Sequence, residues 1–175
     1  MKHALAAILA GTVASSATAD LVGLVGGQTN VALDFELIEA ATGLALSSVS
    51  DGVITPGNLP ESVAFAITSP YAADLPTTLS YDTGDFLGTF AGAIEHRGAV
   101  SFGGAADLTV GNFTIGYDDV AMVFQVGDNL DLGIALFDVA LTEVDAVTDT
   151  FDAWGDLLVS GAFAGLLLDL GLSNA

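Results

Sequence analysis

The sequence predicts an exported all-β protein, an antiparallel β-sandwich or jelly-roll-like fold with a short C-terminal helix, and a flattened β-barrel is the alternative. Three observations predict it. Apolar and polar residues alternate with a period of two in many short runs; Gly, Asn, Asp and Pro punctuate those runs; and helical spacing is confined to the tail.

The chain opens with Lys2 and His3, continues through an apolar stretch over residues 4–13, and reaches Ala17-Thr18-Ala19 just before Asp20. A charged start, a short apolar middle and an A-x-A-like end form a signal peptide, and the apolar part is too short to span a bilayer. Residues 1–19 are therefore read as a cleavable leader and residues 20–175 as a single β domain, long enough to bury a sizeable core.

Residues 30–37 form the first run, with Val31, Leu33, Phe35 and Leu37 on one side and Asn30, Asp34 and Glu36 on the other. Residues 38–42 suit one helical turn closed by Gly43, and a strand follows over 44–50 up to a turn at Asp51-Gly52. The segment 55–60 carries two of the four prolines and reads as a loop before a strand over 62–69, which Pro70 stops. A strand over 77–82 follows the loop at Pro76, and residues 86–90 continue it beyond the polar turn Asp82-Thr83-Gly84-Asp85.

Residues 93–102 read as one strand with Ile94, His96, Val100 and Phe102 on its buried face, ended by Gly103-Gly104. Parity switches within 108–117, because Leu108 and Val110 are even while Phe113, Ile115 and Tyr117 are odd. A bulge at Gly111-Asn112 absorbs the slip. Residues 120–126 and 130–136 flank Gly127-Asp128-Asn129 as a hairpin. In the tail, Phe163, Leu166, Leu167 and Leu170 follow the i, i+3, i+4, i+7 spacing of an amphipathic helix.

The formal charge is −20, and removing the leader leaves Arg97 as the only cation against all 22 carboxylates. Such a surface repels nucleic acid and anionic lipid headgroups, so neither is an expected partner. It also predicts a fold that depends on screening by salt, as a saline habitat supplies. The chain has no cysteine, which excludes disulfides, thiolate metal sites and thiol catalysis. No lysine remains after residue 2, which excludes Schiff-base chemistry and a P-loop.

The remaining chemistry is carboxylate and imidazole. His96 shares its strand face with Ile94 and Val100, so it reads as a core histidine bonded to backbone rather than a catalytic base. Glu95 and Arg97 share the opposite face and read as a structural ion pair, with each other or with a neighbouring strand. The weak calcium candidates are Asp82 with Asp85 and Asp128 with Asp131, each pair on a Gly-bearing turn that offers carboxylates and free carbonyls. Acids also lie at Asp118, Asp119, Glu143, Asp145, Asp149, Asp152 and Asp156, and their solvated role is the simpler reading. Trp154, Tyr71, Tyr81 and Tyr117 are the candidates for stacking on a sugar. Alanines at 32, 64, 66, 121 and 135 fall on outward strand positions, which suggests a second sheet or another copy of the chain against them.

Three segments, residues 59–65, 90–102 and 110–117, resemble exported bacterial all-β proteins of uncharacterised function. Relatives of that kind often end in a Pro-Glu-Pro-type sorting tail that delivers them to the cell surface or matrix. This sequence closes on Leu172-Ser173-Asn174-Ala175 without that tail, so anchoring of that type is not expected. The resemblance implies no catalytic activity and transfers no site residues.

The leading expectation is a non-catalytic structural or binding protein of the cell envelope or extracellular matrix, with no catalytic residues and no cofactor other than calcium. Its expected partners are a surface polysaccharide or a second copy. The second reading is a carboxylate-based glycoside hydrolase or a carbohydrate-binding module.

Overall fold

The computed structural model describes the backbone of residues 6–15 and the whole of residues 21–172. In chain order the elements are β1 (Ala6–Ser15), β2 (Leu21–Ala32), α1 (Phe35–Thr42), β3 (Leu44–Val49), β4 (Val53–Ile54), β5 (Ser62–Ile67) and β6 (Ser80–Asp82). There follow α2 (Phe86–Thr89), β7 (Ile94–Glu95), β8 (Ala99–Gly104), β9 (Leu108–Gly111) and β10 (Thr114–Asp118). The chain ends with β11 (Val123–Gly127), β12 (Ala135–Ala146), β13 (Thr150–Val159) and α3 (Gly161–Asp169).

All pairings are antiparallel. One sheet of ten strands runs β4-β5-β2-β1-β13-β12-β11-β10-β7, with β6 added beside β2, and a three-stranded sheet runs β3-β8-β9. The large sheet curls into a half-barrel whose two margins meet. Ile67 at the end of β5 bridges His96 just after β7, and Thr68 N donates to Glu95 O at 2.8 Å. The predicted class, antiparallel all-β with a short C-terminal helix, is the class observed.

Several local expectations change. The run 30–37 is not one strand, because β2 ends at Ala32 and Asp34 caps a helix. Asp34 Oδ1 accepts from Leu37 N at 2.9 Å, and Gly43, at φ +73°, closes the helix through its N–H to Glu39 O. Residues 86–90 likewise form the turn α2 under an Asp85 cap instead of continuing β6.

The run 93–102 breaks at Gly98, whose φ of +123° turns the chain out of the large sheet (β7) and into the small one (β8). A Cβ at Gly98 would lie 3.1 Å from Val53 Cγ2 and 3.2 Å from Phe65 Cδ1, so only glycine lets the backbone pass there. The slip at Gly111-Asn112 is the matching corner in reverse: β9 belongs to the small sheet and β10 to the large one, with Asn112 at φ +49°. The two corners touch, since Asn112 N donates to Gly98 O at 2.8 Å.

The hairpin around Gly127 is present as β11 and β12, with Phe124 opposite Val139 and Val126 opposite Phe137, but residues 128–134 form a longer loop than three residues. The following hairpin, β12 with β13, pairs Phe137 with Val159 through to Ala146 with Phe151 and carries no turn glycine to announce it. Inward residues of β13 are Phe151, Ala153, Gly155 and Leu157, while Asp152, Trp154, Asp156 and Leu158 alternate outward.

The predicted leader overlaps β1, which lies between β2 and β13, with Leu9 opposite both Thr29 and Ala153. The rest of the leader and its cleavage point lie outside the described residues. Among the described residues no helix is long and apolar enough to cross a membrane.

Two apolar clusters occur among the described residues. One gathers Leu44, Val63, Phe65, Val100, Val110, Phe113, Leu136 and Leu167 where the small sheet and α3 cover one part of the curled sheet. Ser160 anchors α3 there, accepting from Phe163 N at 3.1 Å and donating to Ala135 O at 2.6 Å. The other gathers Val22, Leu24, Ile67, Leu79, Tyr81, Ile94 and Phe151, with Phe86 packed against Tyr81 and Phe151. Ala64, expected outward, is wholly buried beside the loop 55–61, in which Asn58 N donates to Asn30 Oδ1 at 2.7 Å.

On the outer face of β12 and β13, Asp145 lies directly opposite Asp152. Like charges in cross-strand register repel, and salt screens the repulsion. Asp145→Lys should therefore raise the unfolding free energy by about 0.5 kcal/mol in dilute buffer. Urea melts at low and at molar salt check this: the gain should shrink in high salt, and a gain independent of salt would contradict the electrostatic cause.

Candidate functional site

The curled sheet does not pack solid. Between its inward side chains lies a cavity of about 410 Å³. Its walls come from β2 (Thr29, Val31), β5 (Phe65), β10 to β12 (Ile115, Phe124, Val126, Leu136, Val139) and β13 (Phe151, Ala153, Leu157). Leu37, Ile38 and Ala41 of α1 close it on one side, and Phe86 of α2 with Leu79 lies at another. Period-two alternation explains these walls, since each strand sends every second, apolar side chain inward.

The polar side chains on the wall are few. Thr42 is satisfied locally, donating to Ile38 O at 2.7 Å and accepting from Leu44 N at 3.1 Å. Trp154 borders the cavity from the outward row of β13 and is 38% exposed. Among the described residues that leaves Thr29 and His96, both buried.

His96 Nδ1 lies 2.9 Å from Phe113 O, and Nε2 lies 2.7 Å from Thr29 Oγ1. A carbonyl oxygen only accepts, so Nδ1 carries the hydrogen of the neutral ring and Nε2 accepts the Thr29 hydroxyl hydrogen. Burial pushes the His96 pKa down to about 4, against a smaller upward pull from the Phe113 carbonyl. The expectation of a core histidine bonded to backbone is what the structure shows. Thr29, 67 residues away, carries no sequence mark of this pairing.

The acidic candidates have local partners. Asp82 Oδ1 accepts from Gly84 N at 2.7 Å in a turn, and Asp85 Oδ1 accepts from Gly88 N at 3.0 Å as the α2 cap. Asp128 is buried, and its carboxylate gathers backbone N–H groups: Gly111 at 2.6 Å, Leu132 at 2.7 Å, Asp131 at 3.0 Å and Gly133 at 3.4 Å. It ties the β11–β12 loop to the corner at Gly111. Asp131 is exposed on the same loop. Among the described residues no three His, Asp or Glu side chains gather closely enough to hold a metal ion.

Glu95 and Arg97 do not pair with each other. Arg97 forms an exposed ion pair with Asp74, while Glu95 accepts from Thr114 Oγ1 at 2.6 Å. The sugar-stacking candidates are dispersed: Tyr81 is wholly buried against Phe86 and Phe151, Tyr117 packs on Phe90 and Phe124, and Tyr71 stands 91% exposed in a loop. The cavity itself was not foreseen. A void leaves no residue pattern, and the alternation that lines it would equally suit a filled core.

No protein-family model, curated protein or solved structure matches the chain.

Asp128→Ala strands several buried donors, so it should cost about 3–5 kcal/mol. Asp128→Asn should cost less, since one acceptor oxygen remains. Denaturant midpoints with and without a calcium chelator check this, and an unchanged midpoint for the alanine variant would contradict the structural role.

His96 also sets a pH dependence. Above the unfolded-state value of 6.5 both states carry a neutral ring and the stability is complete. As the pH falls from 6.5 toward 4, the unfolded chain takes a proton that the native chain refuses, so about 3 kcal/mol is lost across that window. His96→Gln should flatten that part of the profile in urea melts read against pH. Parallel profiles for the two proteins would refute the assignment.

Proposed function

We propose that this is an exported, non-catalytic binding protein that carries a neutral apolar small molecule inside its curled sheet. The observation that carries the reading is the cavity of about 410 Å³ with an almost wholly apolar wall. Protein interiors pack to the density of organic crystals, so a cavity of this size among apolar side chains is more than a core needs for packing alone. Ligand pockets are about 300–1,000 Å³ with few polar groups, which is the description of this one.

Charge narrows the ligand. A surface at −20 disfavours fatty-acid carboxylates and lipid phosphates, and Arg97, already paired with Asp74, is not on the wall. A neutral molecule meets no such barrier. The commitment of both His96 nitrogens supports a binding role over acid–base catalysis. The resemblance to exported bacterial β proteins supports an extracellular or envelope setting.

The test is titration with N-phenyl-1-naphthylamine, a neutral fluorophore that brightens in apolar surroundings. Saturable binding with a Kd on the order of 1 µM is expected. Ala153→Leu, which pushes three further carbons into the cavity from β13, should weaken binding at least several-fold while leaving the melting temperature equal or higher. Failure of the native protein to bind the fluorophore would remove the proposal.

A further inference from the structure

We infer that the ligand of this cavity is an apolar compound bearing a hydroxyl group, which donates its hydrogen to Thr29 Oγ1. The inference rests on the cavity being a ligand site and adds the polarity of an open hydrogen-bonding position on its described wall.

The argument is one of hydrogen-bond direction. Phe113 O fixes the hydrogen of His96 on Nδ1, so Nε2 is a bare acceptor. Thr29 lies 2.7 Å from that nitrogen and has one hydrogen to give, so its hydrogen is committed to the ring. A hydroxyl oxygen has two acceptor sites beside its single donor. No donor to Thr29 Oγ1 occurs among the described residues, so the oxygen keeps acceptor capacity on a wall where Thr42 is already satisfied. His96 stays neutral at ordinary pH, so the direction does not reverse there.

The placement favours a ligand over chance. Thr29 lies opposite Phe65 in the β2–β5 ladder, a residue of one apolar cluster, and its partner His96 bridges Ile67 of the other. The acceptor therefore stands at the seam of two hydrocarbon regions. A ligand hydroxyl reaching it makes a hydrogen bond screened from water, whereas a ketone or ester sets one lone pair against another and leaves its own carbonyl unsatisfied. A plain hydrocarbon makes neither contact. Sites that offer one hydrogen-bond sense discriminate strongly against ligands lacking the complement.

The experiment compares cyclododecanol, cyclododecanone and cyclododecane as displacers of bound N-phenyl-1-naphthylamine from the full chain, Thr29→Val and Thr29→Ser. For the unaltered protein the alcohol should bind about tenfold more tightly than the ketone. The ratio should fall to near one in Thr29→Val and return in Thr29→Ser, which keeps the hydroxyl. Should Thr29→Val fail to fold, the alcohol-to-ketone ratio in the unaltered protein and in Thr29→Ser still decides the matter. Equal binding of all three, or a preference for the ketone, overturns the inference and leaves the cavity reading intact. Absence of binding by the fluorophore and all three compounds overturns the cavity reading itself.

Discussion

The curled sheet can enclose a space only because its two margins are joined, and the join passes through the backbone of Glu95 and His96. His96 contacts three separate parts of the chain: its backbone bridges Ile67 at the end of β5, its Nδ1 bonds Phe113 ahead of β10, and its Nε2 takes the hydroxyl of Thr29 on β2. A protonated ring would need an acceptor at Nε2 and would carry a charge into an apolar interior, which burial penalises heavily. The neutral ring beside this join therefore orients the Thr29 hydroxyl on the cavity wall.

A second constraint is the exchange of strands between the sheets. The chain leaves the large sheet at Gly98 and re-enters it after Asn112, and the two corners are bonded to each other. Asp128 braces this crossing, reaching from the β11–β12 loop to Gly111 N. The acidic composition thus divides in two. One carboxylate is buried amid backbone donors that satisfy it, while residues such as Asp145, Glu143 and Asp131 remain exposed. The first kind holds the architecture, and the second kind gives the molecule its charge.

The place of β1 bears on how the wall is built. β2 and β13 each run antiparallel to it and so run parallel to one another, which makes an intervening strand the natural partner for both. The segment that reads as a leader therefore also has the apolar and small residues that a central strand accepts. Both readings draw on the same apolar run, since hydrophobicity serves export and sheet burial alike.

The sequence by itself determined the class of fold, the burial of His96 and the short tail helix, because all three follow from local periodicity. Phe163 and Leu167 do pack inward, as their spacing requires. Alternation misled where local capping overrode it, as at Asp34 and Asp85, since one carboxylate bonded to a backbone N–H three residues on is enough to start a turn of helix. It also could not tell a bulge from a corner at Gly111-Asn112, because both absorb one residue of parity. Only the tertiary structure decided that Arg97 pairs with Asp74, that Asp128 serves backbone donors, and that Thr29 meets His96 across 67 residues. The cavity belongs to this last group for a physical reason: it is the space left when curvature holds opposing walls apart, and curvature is a property of the closed sheet rather than of any strand within it.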